Sequence, residues 1–270
     1  MGIFANPLTD LLEYEDFSRD FLKGTDPVGM TGCIDSEKVH FMSTFLGEKK
    51  VQLVVTYNEQ RAREIEEDYK LFCSQVYVIP PRDLIFFSAD LQGNAIIAER
   101  MKAFAALYQN EAKVIITTVD ALMSAAVPFE QLMSHVIKLK EGDELDLEKL
   151  KHDLTVMGYE RVGRVEEPGQ FTVHGGIADV YPLTMEVPVR IELWGDEIDT
   201  IRCFEPQSQR SMDQIESVSV FPAAEVIADD TARRRAVGMI KNELESQLAV
   251  FKKQRSQTRR SVFVRRQTAY

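Results

Sequence analysis

The chain has 270 residues, of which 44% are hydrophobic, so it can bury the core of one large domain or two modest ones. Its net charge is −11, but seven basic residues and no acid follow Glu245, which leaves 25 positive against 43 negative side chains before that point. An acidic body argues against sequence-independent DNA binding through phosphate contacts and favours a surface that meets proteins. We expect no signal peptide, no transmembrane span and no membrane partner, hence a cytoplasmic protein.

The cysteines and histidines do not predict a metal site. Cys33, Cys73 and Cys203 lack the spacing of a metal motif or a disulfide pair, and the four histidines are dispersed. We therefore expect buried free thiols in a reducing compartment and neither a metal nor another cofactor.

The first 50 residues predict two helices joined by a glycine-containing loop. Residues 4–23 mix apolar and acidic residues at roughly helical spacing, which indicates an amphipathic helix packed on the domain. Gly29-x-x-Gly32 then opens like a phosphate-binding loop and precedes a helical pattern over residues 36–46. The position of the essential lysine holds Asp35, and only Ser36 matches the rest of the motif. A carboxylate in place of an ammonium repels phosphate, so this loop is predicted to be a non-functional relic.

From residue 51 the pattern predicts alternating strands and helices. The strands are predicted at residues 51–57, 76–79 and 113–118, and the helices at 59–73, 94–108 and 119–126, with Asn58 as an N-cap. We expect Ile97, Met101, Phe104 and Leu107 to share the buried face of the second helix. Such alternation is typical of a parallel sheet with helices packed against it.

Residues 128–134 are interpreted as a hinge into a second, mainly antiparallel domain. A strand, a turn and a helix over 147–157 follow, with Asp146 at the helix N-cap and Leu147, Leu150 and Leu154 facing a sheet. Gly175 and Gly176 predict a tight turn or bulge. Period-2 alternation is clearest over residues 188–194, where Val189, Ile191 and Leu193 form one face.

The opposite face of this strand carries Arg190, Glu192 and Trp194, which is the only tryptophan. One interpretation is a protein-binding face, since interfaces concentrate binding energy in Trp and Arg. The alternative is that Trp194 covers the far side of the sheet while Arg190 pairs with Glu192 or Asp196. We expect alanine substitutions of Arg190 and Trp194 to weaken binding and to change stability little.

Three segments of this region resemble the UvrA-binding module shared by the bacterial excision-repair protein UvrB and the transcription-repair coupling factor Mfd. They read EEPGQFTVHGGIADVYP (residues 166–182), PVRIELWGDEIDTIR (residues 188–202) and QSQRS (residues 207–211). Outside the glycine loop, the similarity to Mfd extends over about residues 28–226. The resemblance implies an α/β fold: a degenerate RecA-like or UvrB-like parallel domain, with an inserted mixed α+β, largely antiparallel UvrA-binding domain.

The implied domains are residues 1–135 (α/β, with the degenerate loop), 136–218 (UvrA-binding) and 219–270 (a return into the first domain, then a basic tail). The resemblance places UvrA contacts at Arg190 and Trp194, with Glu192 between them. His174 stands where family members commonly have an arginine that contacts UvrA, so the histidine departs from the pattern at that contact.

Two departures from UvrB favour Mfd. The loop formed by Gly29, Gly32, Asp35 and Ser36 is degenerate, as it is in Mfd, whereas UvrB keeps an intact one. UvrB also carries a tyrosine-rich hairpin that enters damaged DNA, and the corresponding stretch here, residues 76–93, is short and has Phe86 and Phe87 but no series of tyrosines and little positive charge. We expect those two rings to pack at an interdomain seam.

The C-terminal part is predicted to contain one helix, over residues 230–252, mildly interrupted by Gly238. Residues 253–270 show no apolar periodicity and lack the strands that the resemblance would place there. We expect a solvated, partly disordered end, and weak nucleic-acid binding through its basic residues is the alternative.

Together these features predict a non-enzymatic protein-interaction module that binds UvrA and takes no small-molecule substrate. By the resemblance, it would recruit nucleotide excision repair to stalled RNA polymerase. Polymerase and DNA would be bound only by other parts of the family's full-length proteins, which are ATP-driven DNA translocases. The alternative is a diverged UvrB-like or helicase-type NTPase, against which the degenerate loop counts.

Overall fold

The computed structural model describes residues 8, 14–24, 27–47, 51–82, 91–227 and 230–267, with side chains left out of the description at 91–94, 230–232 and 253–267. Two compact units divide the chain, residues 1–225 and residues 226–270. The first unit contains a parallel sheet and a larger, mainly antiparallel one, as expected for a mixed α/β protein. The described part of the second unit consists mainly of one long helix, Asp230–Gln267.

The parallel sheet has three strands in the order β1-β3-β2: β1 (Gln52–Thr56), β2 (Val76–Ile79) and β3 (Val114–Thr118). All three lie where the sequence predicts them. Alternate strand residues pack on opposite faces because successive side chains point to opposite sides. Val76, Val78 and Val114 belong to one core cluster, and Ile115 belongs to another.

The helices around this sheet are α1 (Tyr14–Lys23), α2 (Asp35–Ser43), α3 (Glu59–Lys70), α4 (Leu91–Tyr108), α5 (Val119–Met123) and α6 (Phe129–Met133). Helix α1 is the described part of the predicted N-terminal helix, and its Phe17 ring lies 4.8 Å from that of Phe41 on α2. Asn58 caps α3 by accepting a hydrogen bond of 2.8 Å from the Arg61 N–H.

Helix α4 starts earlier than predicted and buries more than the predicted stripe. Met101 is buried, but Ile97, Phe104 and Leu107 are only partly so. The most buried positions include the small side chains Ala103, Ala105 and Ala106 and the charged Arg100. Small residues allow the helix backbone to approach its neighbours closely, which a search for large apolar residues does not reveal.

The segment interpreted as a hinge, residues 128–134, contains the short helix α6. Its Leu132 and Met133 are buried. Phe86 and Phe87 lie outside the described residues. Cys33, Cys73 and Cys203 are free thiols as expected, but each is only partly buried.

The larger sheet has six strands in the order β10-β9-β8-β7-β6-β5. They are β5 (Glu160–Arg161), β6 (Gln170–His174), β7 (Ile177–Val180), β8 (Val189–Trp194), β9 (Glu197–Phe204) and β10 (Ser211–Gln214). Every pair is antiparallel except β5 with β6. A separate antiparallel pair joins β4 (Ile137–Lys140) to β11 (Ser217–Val220).

One face of the six-stranded sheet is covered by α7 (Leu147–Val156). Leu150 and Leu154 are in the core, and Leu147 packs against it, as predicted. The Asp146 carboxylate caps α7, accepting hydrogen bonds of 2.9 and 3.1 Å from the first-turn N–H groups of Glu148 and Lys149. Val189, Ile191 and Leu193 of β8 belong to this core, which confirms the predicted alternation.

After β11 the chain returns to the helices of the parallel sheet. The Phe221 ring lies 5.9 Å from that of Tyr108 on α4. The buried Glu225 carboxylate binds Arg82, at 2.8 Å from its Nε, and also the guanidinium of Arg100. The 219–225 segment is therefore anchored by an ion cluster, since each charge has a partner of opposite sign.

The helix of the second unit, α8 (Asp230–Gln267), is longer than predicted. The sequence interpretation ended it near Lys252 and expected a partly disordered tail, but the helical backbone continues to Gln267. Gly238 does not interrupt it. Local helix propensity is the physical reason, because runs of Arg, Lys and Gln form helices well without an apolar stripe. Within the described residues, none of the helices has the length and hydropathy needed to cross a membrane.

Candidate protein-binding site

The face of the six-stranded sheet opposite α7 carries the predicted contact residues. Strand register aligns Thr172, Asp179, Arg190 and Arg202 in one row across β6 to β9. The next row is formed by four residues: His174, Ile177, Glu192 and Thr200. We call this surface the outer face. His174 of β6 is thus placed on the same face as Arg190 and Glu192, and Trp194 follows Glu192 by two positions on β8.

Trp194 is the most prominent residue of the outer face. Its side chain is 84% exposed at the end of β8, directly across from Glu197 of β9. It therefore does not cover the far side of the sheet, which was the alternative interpretation. Pairing with β9 shifts between Glu192 and Leu193, where Asp199 is the extra residue of a bulge. The bulge lies on β9, so the alternation of β8 up to Trp194 is preserved.

Arg190 is held within the sheet. Its Nε donates to Asp179 Oδ1 at 2.8 Å and its Nη2 to Asp179 Oδ2 at 2.7 Å, a bidentate ion pair between neighbouring strands. The guanidinium carbon also lies 4.7 Å from the centre of the Phe204 ring. The hydrogen bonds that Arg190 donates to Asp179 raise the pKa of Arg190, so the side chain is cationic at any physiological pH. The alternative interpretation, in which Arg190 pairs with Glu192 or Asp196, is wrong, because its ion-pair partner is Asp179, directly opposite on β7.

Glu192 remains available to a partner. It accepts a hydrogen bond of 3.3 Å from the Thr200 hydroxyl, which lies across from it on β9. No ion pair within 4.0 Å involves Glu192 among the residues that the structure describes. Its carboxylate therefore adds a negative charge between Arg190 and Trp194 on the outer face.

His174 ends β6 and is exposed, beside the tight turn that leads into β7. Gly175 adopts a left-handed φ of +59°, and a side chain at Gly176 would come within 3.3 Å of the Leu193 carbonyl oxygen. The turn therefore needs glycine at both positions for different reasons: backbone conformation at the first and close approach at the second. This confirms the turn predicted from the two glycines.

Sequence reasoning missed Asp179, Phe204, Gln209 and Ile177 as neighbours of the predicted contacts. Ile177 is 40% exposed and sits between His174 and Glu192. The available signal was alternation: Ile177 and Asp179 share a face of β7, since they are two residues apart. Alternation alone does not give the strand register that places Asp179 opposite Arg190.

The glycine loop before α2 has no lysine in position to bind phosphate. Asp35 begins the helix and pairs with Lys38 at 3.0 Å and with Arg61 at 3.5 Å. The Glu37 carboxylate accepts the Ile34 N–H at 3.0 Å, so a second acid occupies this helix N-terminus. The hydrogen bond from Lys38, followed by the charge of Arg61, holds the pKa of Asp35 below its usual range. Within the described residues, no cluster of His, Cys, Asp or Glu has metal-binding geometry.

Comparison with known proteins finds a family match over the region that contains the outer face. The family described as "UvrB interaction domain" matches residues 137–225. The transcription-repair-coupling factor of Staphylococcus haemolyticus is 34% identical over 215 residues, which cover 78% of this chain. That of Bacillus subtilis is 30% identical over 253 residues and 92% of the chain. This chain is homologous to the N-terminal, UvrB-like region of transcription-repair coupling factors.

The same relationship holds for the transcription-repair-coupling factor of Staphylococcus aureus strain Mu50, at 31% identity over 91% of the chain. The resemblance stated from the sequence is thereby confirmed. The chain spans only about a fifth of the relatives that it matches, 18% of the Staphylococcus haemolyticus protein and 22% of the Bacillus subtilis protein.

Proposed function

We propose that this chain is a protein-interaction module that binds UvrA through the outer face. Arg190, Trp194, Glu192 and His174 would be the contacts. In the setting of a transcription-repair coupling factor, this binding would recruit nucleotide excision repair to a stalled RNA polymerase. The described segment itself would neither hydrolyse ATP nor bind a small-molecule substrate, and polymerase and DNA contacts would belong to other regions of the family's proteins.

The observation that carries the proposal is the environment of Trp194. A tryptophan that is 84% exposed leaves a large apolar ring in water, on the strand that also carries the fixed cation Arg190 and Glu192, an acid with no ion-pair partner among the described residues. A few residues dominate the binding energy of a protein interface, and Trp and Arg are enriched among them. The arrangement is what a partner-binding surface needs, and the match to a UvrB interaction domain over these residues supports it.

The proposal extends to the fold. We propose that residues 1–135 form a UvrB-like, RecA-related domain whose nucleotide loop has lost its function. Residues 136–218 would be the inserted binding domain, and 219–270 would return to the first domain before the basic tail. The parallel strand order, the acidic N-terminus of α2 and the anchoring of Glu225 against Arg82 and Arg100 support this division.

Calorimetric titration with purified UvrA tests the function. Trp194→Ala should weaken binding by about 2 kcal/mol or more, roughly 30-fold, because it removes an interface anchor. Its melting temperature should stay within about 1 °C of wild type, since the ring makes little contact with the fold. His174→Ala should have a smaller effect on affinity.

Tyr57→Ala is the matched control, because Tyr57 is an aromatic residue 73% exposed at the end of β1, outside the six-stranded sheet. It should leave the affinity unchanged. Wild-type affinity for UvrA in a well-folded Trp194→Ala variant, or no binding by the wild-type chain, would overturn the proposed function.

A further inference from the structure

Arg190 is restrained on three sides before any partner arrives. Asp179 accepts two hydrogen bonds from one edge of the Arg190 guanidinium, and the Phe204 ring packs against the guanidinium plane. Asp179 is only 6% exposed and Phe204 is fully buried. Both supports therefore belong to the rigid sheet, and their own rotamers are fixed by packing.

Gln209 provides the third restraint. Its Oε1 lies 3.5 Å from Arg190 Nη2, and its Nε2 donates to the carbonyl oxygens of Pro206 at 2.7 Å and Val165 at 3.1 Å. Gln209 also adopts a left-handed φ of +60°, in the loop between β9 and β10. The loop thus presents an amide to Arg190 in a conformation that the surrounding hydrogen bonds maintain.

The number of N–H donors shows which edge of the Arg190 guanidinium has no hydrogen-bond acceptor among the described residues. A guanidinium has five N–H groups: one on Nε and two on each terminal nitrogen. Nε and Nη2 are directed at Asp179 and Gln209, whereas Nη1 has no acceptor among the described residues. The Arg190 side chain keeps 21% of its surface exposed, and Nη1 carries the N–H groups that its hydrogen bonds within the described residues leave unused.

We propose that Asp179 is a positioning residue for UvrA recognition, acting through Arg190. Together with Phe204 and Gln209, it directs the Nη1 edge outward, so that Arg190 meets a single acceptor oxygen of the partner rather than a bidentate carboxylate. The inference rests on the proposed function. The arrangement also requires arginine at this position. Lysine cannot replace Arg190, because an ammonium has no planar group that binds Asp179 along one edge and a partner along another.

Pre-positioning raises affinity because an arginine free to rotate loses conformational freedom on binding. An immobilised long side chain of this kind changes the affinity by up to about tenfold. Asp179→Asn keeps the size of the side chain but replaces one acceptor oxygen with a donor that faces the guanidinium. It should weaken UvrA binding by about tenfold although Asp179 does not touch the partner.

A double-mutant cycle on affinity separates positioning from a general effect on folding. Asp179→Asn should weaken binding in the wild-type background and have no further effect in Arg190→Gln, because the residue through which it acts is gone. Thr117→Val is the control, since Thr117 is also a buried polar strand residue but lies on β3 of the parallel sheet, outside the outer face. Its affinity should match that of the wild type.

Arg190→Lys provides a second variant, which keeps a cation beside Asp179 if Asp179→Asn does not fold. It should lose as much affinity as Arg190→Gln. In the free chain, the Arg190 Nε–H resonance in a ¹⁵N NMR spectrum should be sharp and slow to exchange, and Asp179→Asn should broaden or remove it.

The outcomes distinguish the two ideas. No binding of UvrA by the wild-type chain overturns the proposed function and this inference together. If the wild type binds and Trp194→Ala weakens binding, the proposed function stands. The inference is then overturned by wild-type affinity in Asp179→Asn, in Arg190→Lys or in Arg190→Gln, or by equal losses from Asp179→Asn in both backgrounds.

Discussion

Arg190 and Trp194 share one strand and one face, but they contribute differently to the stability of the fold. The Trp194 ring is almost free of the fold, whereas Arg190 neutralises the buried Asp179. From the sequence alone, both alanine substitutions are expected to leave stability little changed. For Arg190 that expectation has to be revised, because removing one member of a buried ion pair leaves the other charge without compensation.

Arg190→Ala should therefore lower the free energy of unfolding by about 2–4 kcal/mol, near the lower part of the range for buried pairs because Arg190 is partly exposed. Trp194→Ala should lower it by less than about 0.5 kcal/mol, as surface substitutions do. Urea denaturation measures both. Equal stabilities of the two variants would show that the Asp179 pair contributes nothing, and the double variant Asp179→Asn, Arg190→Gln should recover part of the loss.

Buried tyrosines add a dependence on alkaline pH. The hydroxyl of Tyr159 donates to the Phe221 carbonyl oxygen at 2.7 Å, and burial raises the pKa of Tyr159 well above its ordinary value of about 10. A raised folded-state pKa means that the unfolded chain releases this proton first. The contribution of Tyr159 is thus fully present below about pH 10 and is lost as the pH rises towards the folded-state value.

Melting temperatures measured from about pH 8 to about pH 11, roughly two units below and one unit above the ordinary tyrosine pKa, test this dependence. With rising pH they should fall less steeply for Tyr159→Phe than for the wild type. The variant should also be less stable at neutral pH, since it loses the hydrogen bond to Phe221. Tyr57→Phe, at an exposed site, should keep the wild-type slope. Parallel curves for Tyr159→Phe and the wild type would contradict this account.

Helix α2 follows a glycine-containing loop but carries acidic side chains at its N-terminus. The N-terminus of a helix attracts phosphate when its N–H groups are free and a cation stands beside it. Here Asp35 and Glu37 occupy that end, and Lys38 is tied to Asp35. Two carboxylates at the helix N-terminus stabilise the helix and repel a nucleotide.

Millimolar Mg-ATP should consequently leave the melting temperature unchanged. A nucleotide present at 100 times its dissociation constant would add about 2.7 kcal/mol, which corresponds to roughly 5–10 °C for a unit of this size. Differential scanning fluorimetry makes the comparison. An upward shift with ATP that disappears in Ser36→Ala would show that the loop still binds nucleotide.

At the scale of the whole molecule, the first unit is closed by contacts distant in sequence. Glu225 binds Arg82 and Arg100, and Tyr159 binds the Phe221 carbonyl, so the end of the binding region is fastened to earlier elements. The second unit, residues 226–270, is a separate compact unit. Its C-terminal part carries the seven basic residues that follow Glu245.

Deleting residues 253–270 should leave the melting temperature of the first unit and its affinity for UvrA unchanged, because the outer face lies entirely in residues 170–214. It should remove weak nucleic-acid retention, with an effect that declines steeply with salt. Calorimetry and a filter-binding assay measure the two properties. A loss of several degrees in the melting temperature on deletion would mean that this segment supports the core.

Local patterns in the sequence were enough to predict a strand face, two helix starts and the identity of one loop. Alternation over residues 188–194 placed Arg190 and Trp194 on one face, Asn58 and Asp146 marked two helix starts, and Asp35 identified a loop without its lysine. Each depends on neighbours in the chain, through strand period, capping or motif spacing. The family was also recognisable at this level, since its motifs are contiguous.

Only the tertiary structure decided which charges meet. Alternation assigns a residue to a face but not to a register, so Asp179 emerged as the partner of Arg190 only when β7 and β8 were paired. Phe204 and Gln209 reach Arg190 through strand order and a loop conformation, and Glu225 reaches Arg100 across 125 positions. These contacts depend on how distant segments pack, and packing is a property of the assembled fold rather than of any short stretch of sequence.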